Sequence, residues 1–518
     1  MPLFVLIWVA CTGADDPGPA PDPLPDACEP TASTATASGT DSGQTTDSGG
    51  PTDSADTGDA PPWLLDCAVL DVPELVTSRQ LRLTLSEPGA VRLCCTHQSD
   101  PAQAHVVWSP QGTEHLLTLE GLLASANYEC DDDVTLATGE QRVSATLSTD
   151  ALPDWIRLPE LTGDPALSEG GYTLVNHFLN GKAVDEQKLL IFDREGRIRW
   201  YHTVRDDITA VDATYVGDGN VLYGGGFGGP PTLVDMALHQ VFQGAQPTIG
   251  VSHHHDVEML PSGRIAGLVT TRNQGDGAEF TGFGVEIIDV PSGELVWSYD
   301  SQIAIDAGEL TEGSNDPWHA NALQVIEENG VLQDVYVNLR DLNHLVRIDP
   351  ESKRITSVLG PGGDFALVDG RGDPAPSDQW FDFPHAPEVR GDRVLFYDNR
   401  NNAPASDTSR AVELTLDRGA ATAQVSWEWT ERDFREQAWG DVDTLSTGDV
   451  LVTIAHCDHC QISDDASRSA VVEVDRDSTE VLWRLTWPEA ADGIYRADRI
   501  PGCEVFANAA YCPDVLDR

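Results

Sequence analysis

Positive charge is scarce in this chain. Only 31 Lys and Arg stand against 85 Asp and Glu, a formal net charge of −54 over 518 residues, spread along the whole length. Such a field repels nucleic acid and anionic membrane surfaces, so neither is a main partner. Solubility is its ordinary role, but an anionic ligand would still need local cations, which makes the few Arg residues worth following. Long apolar runs are missing too. Beyond the first ten residues no stretch approaches the length needed to span a bilayer. Nor does any segment keep a 3.6-residue apolar period long enough for a major helix, which excludes helical architectures. With 40% apolar residues the chain is nonetheless long enough for two or three domains with real cores.

The N-terminus reads as an address. Met1–Ala10 is a short apolar run leading into Trp8, Val9, Ala10 and Cys11, and residues 1–11 resemble a bacterial lipoprotein signal in which Cys11 is lipidated. Membrane contact is expected only through that lipid, which implies export to the cell envelope. Residues 12–62 are nearly all Thr, Ser, Asp, Gly, Pro and Ala. Too apolar-poor to offset the entropy of ordering, they are expected to form a disordered tether.

Cysteine usage fits an oxidising compartment. Of ten cysteines, Cys11 is reserved for lipid. Cys67, Cys94, Cys95 and Cys130 suggest two disulfides whose pairing the sequence leaves open. Cys457 with Cys460 and Cys503 with Cys512 suggest one each, leaving Cys28 alone in the tether. The run His456, Cys457, Asp458, His459, Cys460 has zinc-ligand types, but structural zinc draws on two separated pairs and no second pair is evident. A disulfide-closed loop is expected there, and no metal.

A recurrent phrase organises residues 153–518. Apolar residues lead to an Asp, then a turn, then an apolar stretch often ending in Trp. The aspartates are Asp193, Asp235, Asp289, Asp349, Asp417 and Asp475. Each phrase has the form of a hairpin, and most are preceded by a second Gly-containing hairpin signal. Two hairpins per copy make a four-stranded blade, so six copies predict a six-bladed β-propeller. Trp200, Trp297, Trp429 and Trp483 are expected to pack between blades, and the strand at residues 495–500 to close the ring against the first. Residues 63–152 form a separate stretch of short alternating strands. Tyr128, just past a Leu-rich turn, suggests the corner of a fibronectin type III- or Ig-like β-sandwich. The expected fold class is therefore all-β: tether, small sandwich, propeller.

Three histidines, His255, His319 and His385, stand just ahead of the same kind of strand in successive copies. Equivalent positions in a radial sheet face one axis, so these imidazoles are expected to converge. Arg340 precedes the Asp349 phrase. Farther on come Asp398, Asn399, Ser409 and Arg410, expected to be structural, and Asn321 is expected to tie a loop backbone. Asp256 is expected either to orient an imidazole or to serve a turn.

Taken in this order, these phrases resemble the bacterial arylsulfate sulfotransferase (arylsulfotransferase) family over roughly residues 155–500. The resemblance implies a six-bladed propeller that moves a sulfuryl group from a phenolic sulfate ester to a phenol through a sulfated histidine, with no nucleotide donor and no cofactor. By motif His385 matches the nucleophile, His319 and Arg340 the residues that hold the sulfuryl oxygens, and His255 the remaining active-site histidine, in preference to His254. The chemistry is consistent on its own terms. Arg and protonated imidazoles meet the charge of a sulfate ester, an imidazolium assists the leaving phenolate, and a neutral imidazole attacks. Carboxylates nearby are expected to keep the holding histidines charged. The alternative is an exported propeller that binds a small anionic or phenolic ligand, or a surface partner, without turnover. A cofactor-bearing propeller dehydrogenase is disfavoured because its eight-blade count and Trp-docking repeat are missing.

Overall fold

The computed structural model describes residues 27–30, 63–178, 187–204, 210–226, 229–275, 279–402, 408–430, 435–436, 438–455, 468–488 and 492–512. The signal-like segment 1–11, most of the tether, and the 456–460 run expected to hold a disulfide lie outside them. The chain divides into two compact units, one from Met1–Pro153 with Phe506–Arg518 and one from Asp154–Val505. Almost all of the regular structure is strand; the one α-helix among the described residues is the short Gln302–Asp306. No described helix is long and apolar enough to cross a membrane.

In the first unit a six-stranded hydrogen-bonded sheet is organised on the long strand Arg79–His97, which pairs with Leu64–Asp71, Asp100–Leu119 and Asn127–Leu136. Alternating Leu81, Leu83, Leu93, Val134 and Val143 form its core. Cys95 and Cys130 face each other across two strands and are joined as a disulfide. Cys67, Cys94, Cys503 and Cys512 are disulfide-bonded as well. The Tyr128 hydroxyl accepts the Leu123 backbone N–H at 2.8 Å, tying down the Leu-rich turn. The segment from Phe506 on, grouped with the repeats by sequence, packs on this unit instead. Its backbone pairs there: Val106 N–H donates to Ala507 O and Ala509 N–H to Ala104 O.

Among the described residues the second unit holds six sheets, antiparallel except in the fifth, where Ala366–Leu367 runs parallel to Thr422–Thr430. Sheet one takes its inner strand, Gly493–Pro501, from the far end of the unit and pairs it with Gly171–Phe178, as the reading of residues 495–500 expects. The inner strands of sheets two to six are Ala210–Gly217, Ser252–Met259, Ala320–Glu328, Pro384–Arg390 and Asp441–Thr444. In sheet six the strand Glu160–Gly163 adds a fifth member beside Val481–Thr486, a second closure of the unit's two ends. All six inner strands line one cavity of about 240 Å³, each contributing three consecutive residues.

The repeated aspartates begin the turn of each outer hairpin. Asp235, for example, accepts the backbone N–H groups of Ala237 and His239, and Asp417 those of Gly419 and Ala420. A short acceptor side chain there satisfies donors that the turn leaves unpaired. The tryptophans that follow do more than pack. Trp200 donates its indole N–H to Met236 O at 2.9 Å, Trp297 to Pro350 O at 2.9 Å, Trp427 to Arg476 O at 2.8 Å and Trp483 to Arg194 O at 2.6 Å. Each acceptor is the residue after the repeated Asp of the next sheet, so every latch ties one sheet's outer edge to its neighbour's turn. In sheet five the latch is Trp427 rather than Trp429, which is buried in the core alongside it.

Trp483 is fully buried and latches sheet six to sheet one, where the unit closes. Replacing it by Phe deletes the indole N–H, strands the Arg194 carbonyl and leaves a small void. Denaturant unfolding of Trp483→Phe is expected to show a loss of about 2–4 kcal/mol; an unchanged midpoint would mean that the latch contributes nothing.

Candidate functional site

The site lies where the inner strands begin, and five of the six strands are irregular at that point. The register slips between Ala210 and Asp212, His253 and Val257, Ala320 and Ala322, His385 and Glu388, and Ile494 and Ala497. A bulge re-aims the side chains beside it. Backbone strain accompanies the slips: His255, His319, Ala386 and Trp439 have φ of +60°, +46°, +44° and +74°. Non-glycine residues rarely adopt such angles, and they concentrate where side-chain direction matters.

His385 is buried and its ring is held at both nitrogens. Nδ1–H donates to Asn399 Oδ1 at 2.7 Å, while Trp439 donates its backbone N–H to Nε2 at 3.2 Å. Asn399 cannot turn its amide round, because its Nδ2 donates to the carbonyls of Trp439 at 2.9 Å and Glu436 at 3.2 Å. The neutral ring is thus fixed with its proton on Nδ1 and its lone pair on Nε2, met only by one long hydrogen bond. Burial first, and then the Arg340 charge, push the His385 pKa down to about 3. The preceding carbonyl, Pro384 O, is pinned by Asn321 Nδ2 at 3.0 Å and Asn338 Nδ2 at 2.8 Å.

His255 and His319 stand edge to face, ring centroids 5.0 Å apart. His319 Nδ1–H donates to Asp316 Oδ2 at 2.8 Å. His255 contacts His254 on its other side, Nδ1 to Nδ1 at 2.8 Å. These rings, with Asp316, Trp318 and Phe283, border a cavity of about 120 Å³. Tyr495 connects the two groups of histidines, its ring centroid 6.4 Å from those of both His255 and His385. Its buried hydroxyl has no hydrogen-bond partner among the described residues. Arg340 opens a single 3-10 turn, donates Nε–H to Asp341 Oδ1 at 2.8 Å and lies over the Phe383 ring at 5.1 Å. Asp341 engages Nε, and no hydrogen bond to either Nη group is made among the described residues.

Below the histidines the central cavity is acidic, and its carboxylates have structural work. Burial pushes Glu258 up to about 8 and Asp441 up to about 7, so part of this ring is neutral near pH 7. Arg496 lies among them, its Nη1 and Nη2 each 3.0 Å from one oxygen of Asp256 and Nη1 3.2 Å from Asp212 Oδ1. The acidic surroundings do not by themselves hold an imidazole charged: His385, expected to attack as a neutral ring, has a lowered pKa, and so has His255. Burial pulls His255 well below its ordinary value, and the charges of His254, His319, His385 and Arg340 pull it further, so desolvation outweighs the acidic background.

The four side chains singled out from the sequence therefore meet around one point, with Tyr495, Arg496 and Trp439 added. Asn399, expected to be structural only, also positions the His385 ring, a role that no local sequence signal marks. Ser409, whose hydroxyl reaches the Asn399 carbonyl, and Arg410, held by Asp398, Glu428 and Gln379 O, are structural. Asn321 ties loop backbone. Asp256 neither orients an imidazole nor serves a turn; it accepts the Leu323 N–H at 2.7 Å and pairs with Arg496. His253 faces away, toward Ala245 O.

The arylsulfotransferase (ASST) family model matches residues 164–496, which include every one of these positions. No curated protein matches the chain. Among solved structures, the periplasmic gluconolactonase PpgL of Pseudomonas aeruginosa is 11% identical, covering 64% of this chain and 99% of that one at a TM-score of 0.35. TolB from Acinetobacter baumannii is 12% identical, covering 73% and 80% at a TM-score of 0.35.

A pH titration of the labelled imidazoles by NMR checks the electrostatics. His385 is expected to stay neutral from pH 8 down to about pH 5, since its pKa is lowered to about 3 and protonation begins only near that value. A midpoint close to the ordinary ~6.5 would contradict the burial argument.

Proposed function

The chain belongs to the arylsulfotransferase (ASST) family, and on that premise we propose that it transfers a sulfuryl group from a phenolic sulfate ester to a phenol through a sulfated His385. No nucleotide sulfate donor takes part. The Nε2 lone pair that Asn399 leaves on a neutral, buried imidazole carries this reading. Arg340 and His319 hold the sulfuryl oxygens, as donors suited to an anion in so acidic a protein. His385 Nε2 gives up its contact with Trp439 N–H and attacks sulfur; the S–O bond breaks and the phenolate departs with its electron pair. In the second half the acceptor phenol attacks the same sulfur, and the N–S electron pair returns to Nε2. His255, kept neutral by burial, suits the base that removes the acceptor's proton rather than the acid that assists the first departure.

The six sheets are best read as the six blades of one β-propeller, which brings His255, His319, Arg340 and His385 from three neighbouring blades to one mouth. The first unit is read as a small β-sandwich. Disulfide-bonded cysteines in both sequence regions favour export, with a lipid on Cys11 as the proposed anchor and only the small aryl donor and acceptor as partners.

Purified protein given 4-nitrophenyl sulfate and excess phenol is expected to release nitrophenolate, and His385→Ala to release none. Asn399→Ala keeps the nucleophile but frees its tautomer, so kcat is expected to fall about 10- to 100-fold. Failure of the wild type across many donors and acceptors, with ligand still bound, would favour a binding module instead.

A further inference from the structure

His254 has no part in the reading above, yet it makes the closest contact to His255. The two Nδ1 atoms are 2.8 Å apart and the rings are nearly perpendicular, at 88°. Two nitrogens at that distance share one proton: one ring donates and the other accepts. The Val269 backbone also hydrogen-bonds the His254 ring, and burial leaves this residue neutral, its pKa lowered to about 4. A neutral imidazole has a single N–H. If that proton is committed to the Val269 carbonyl, His254 Nδ1 can only accept, and His255 must be the donor.

We propose that His254 is a positioning residue that fixes His255 as its Nδ1–H tautomer and so leaves a bare Nε2 facing the bound acceptor. The claim rests on the sulfotransfer reading for its consequence, though the tautomer itself does not. In the second half-reaction the acceptor O–H proton passes to His255 Nε2 and the phenolic oxygen forms its bond to sulfur. As the N–S bond breaks, its electron pair returns to His385. Without the Nδ1 acceptor His255 would divide between two tautomers, and the Nε2–H form can accept no proton on that side. The strained φ of +60° at His255 holds the ring where both contacts are made.

The half-reactions separate the possibilities. With 4-nitrophenyl sulfate alone, His254→Leu is expected to give a nitrophenolate burst within about twofold of wild type, because the nucleophile is untouched. On addition of a phenol, its turnover is expected to be about 10- to 100-fold slower, in kcat rather than KM, and slowest with the least acidic phenols. His254→Asn, whose Oδ1 can accept from Nδ1, is expected to recover most of the rate. Unchanged desulfation in His254→Leu, or a burst lost in the same proportion, would overturn the proposal. Imidazole ¹⁵N NMR of the wild type decides the tautomer independently of activity and of any variant's folding: His255 as Nδ1–H supports it, His255 as Nε2–H ends it. A wild type without any burst would count against the sulfohistidine reading and leave this spectrum as the test.

Discussion

Among the described residues, the inner strand of every sheet in the second unit has no strand beside it on the axial side, so its backbone N–H groups must be met by something else. Side chains from the preceding sheet meet them. Asp498 accepts from Tyr215 N–H, Asp212 from Val257, Asp256 and Glu258 from Leu323 and Val325, Gln324 from Val389, and Glu388 from Thr444. Five of the junctions between neighbouring inner strands are bridged in this way. The acidic axis is thus a consequence of building a ring from edge strands, and no cation need be invoked to explain it. The same bridges hold neighbouring strands in fixed register, and the bulges that aim His255, His319 and His385 lie directly above them.

Two sets of ties therefore act at different radii. At the rim, indole N–H groups latch four junctions to the turns that the repeated aspartates organise. At the axis, carboxylates bind backbone. Between them the sheets have little freedom to shift, which is what a site assembled from residues far apart in sequence requires. Asp256 links the levels: it follows His255 in the chain, accepts the Leu323 N–H and carries the Arg496 ion pair.

The repeats, the hairpins and the convergence of His255, His319, His385 and Arg340 were legible because periodic patterns and rare residue types survive in one dimension. What stayed hidden depended on contacts across sheets. Asn399 looks like any turn Asn until its amide is seen wedged between His385 and the Trp439 carbonyl. Trp427 and Trp429 are alike in sequence, and only the turn of the next sheet selects Trp427. How far the His255 and His385 pKa values fall was hidden for a related reason. Composition shows a net charge of −54 but not the burial that outweighs it at these two rings. The boundary at the far end was equally invisible, since the pairing of Ala507 and Ala509 with the strand through Ala104 and Val106 has no local signature.

The central claim is that His385 Nε2 is a preset nucleophile for sulfur. Incubating the protein with an aryl sulfate and no acceptor, quenching under alkaline conditions and mapping peptides by mass spectrometry tests it most directly. The account predicts one added SO₃ on the peptide containing His385, lost when phenol is supplied before the quench. A modification on any other residue, or none while nitrophenolate is still released, would contradict it.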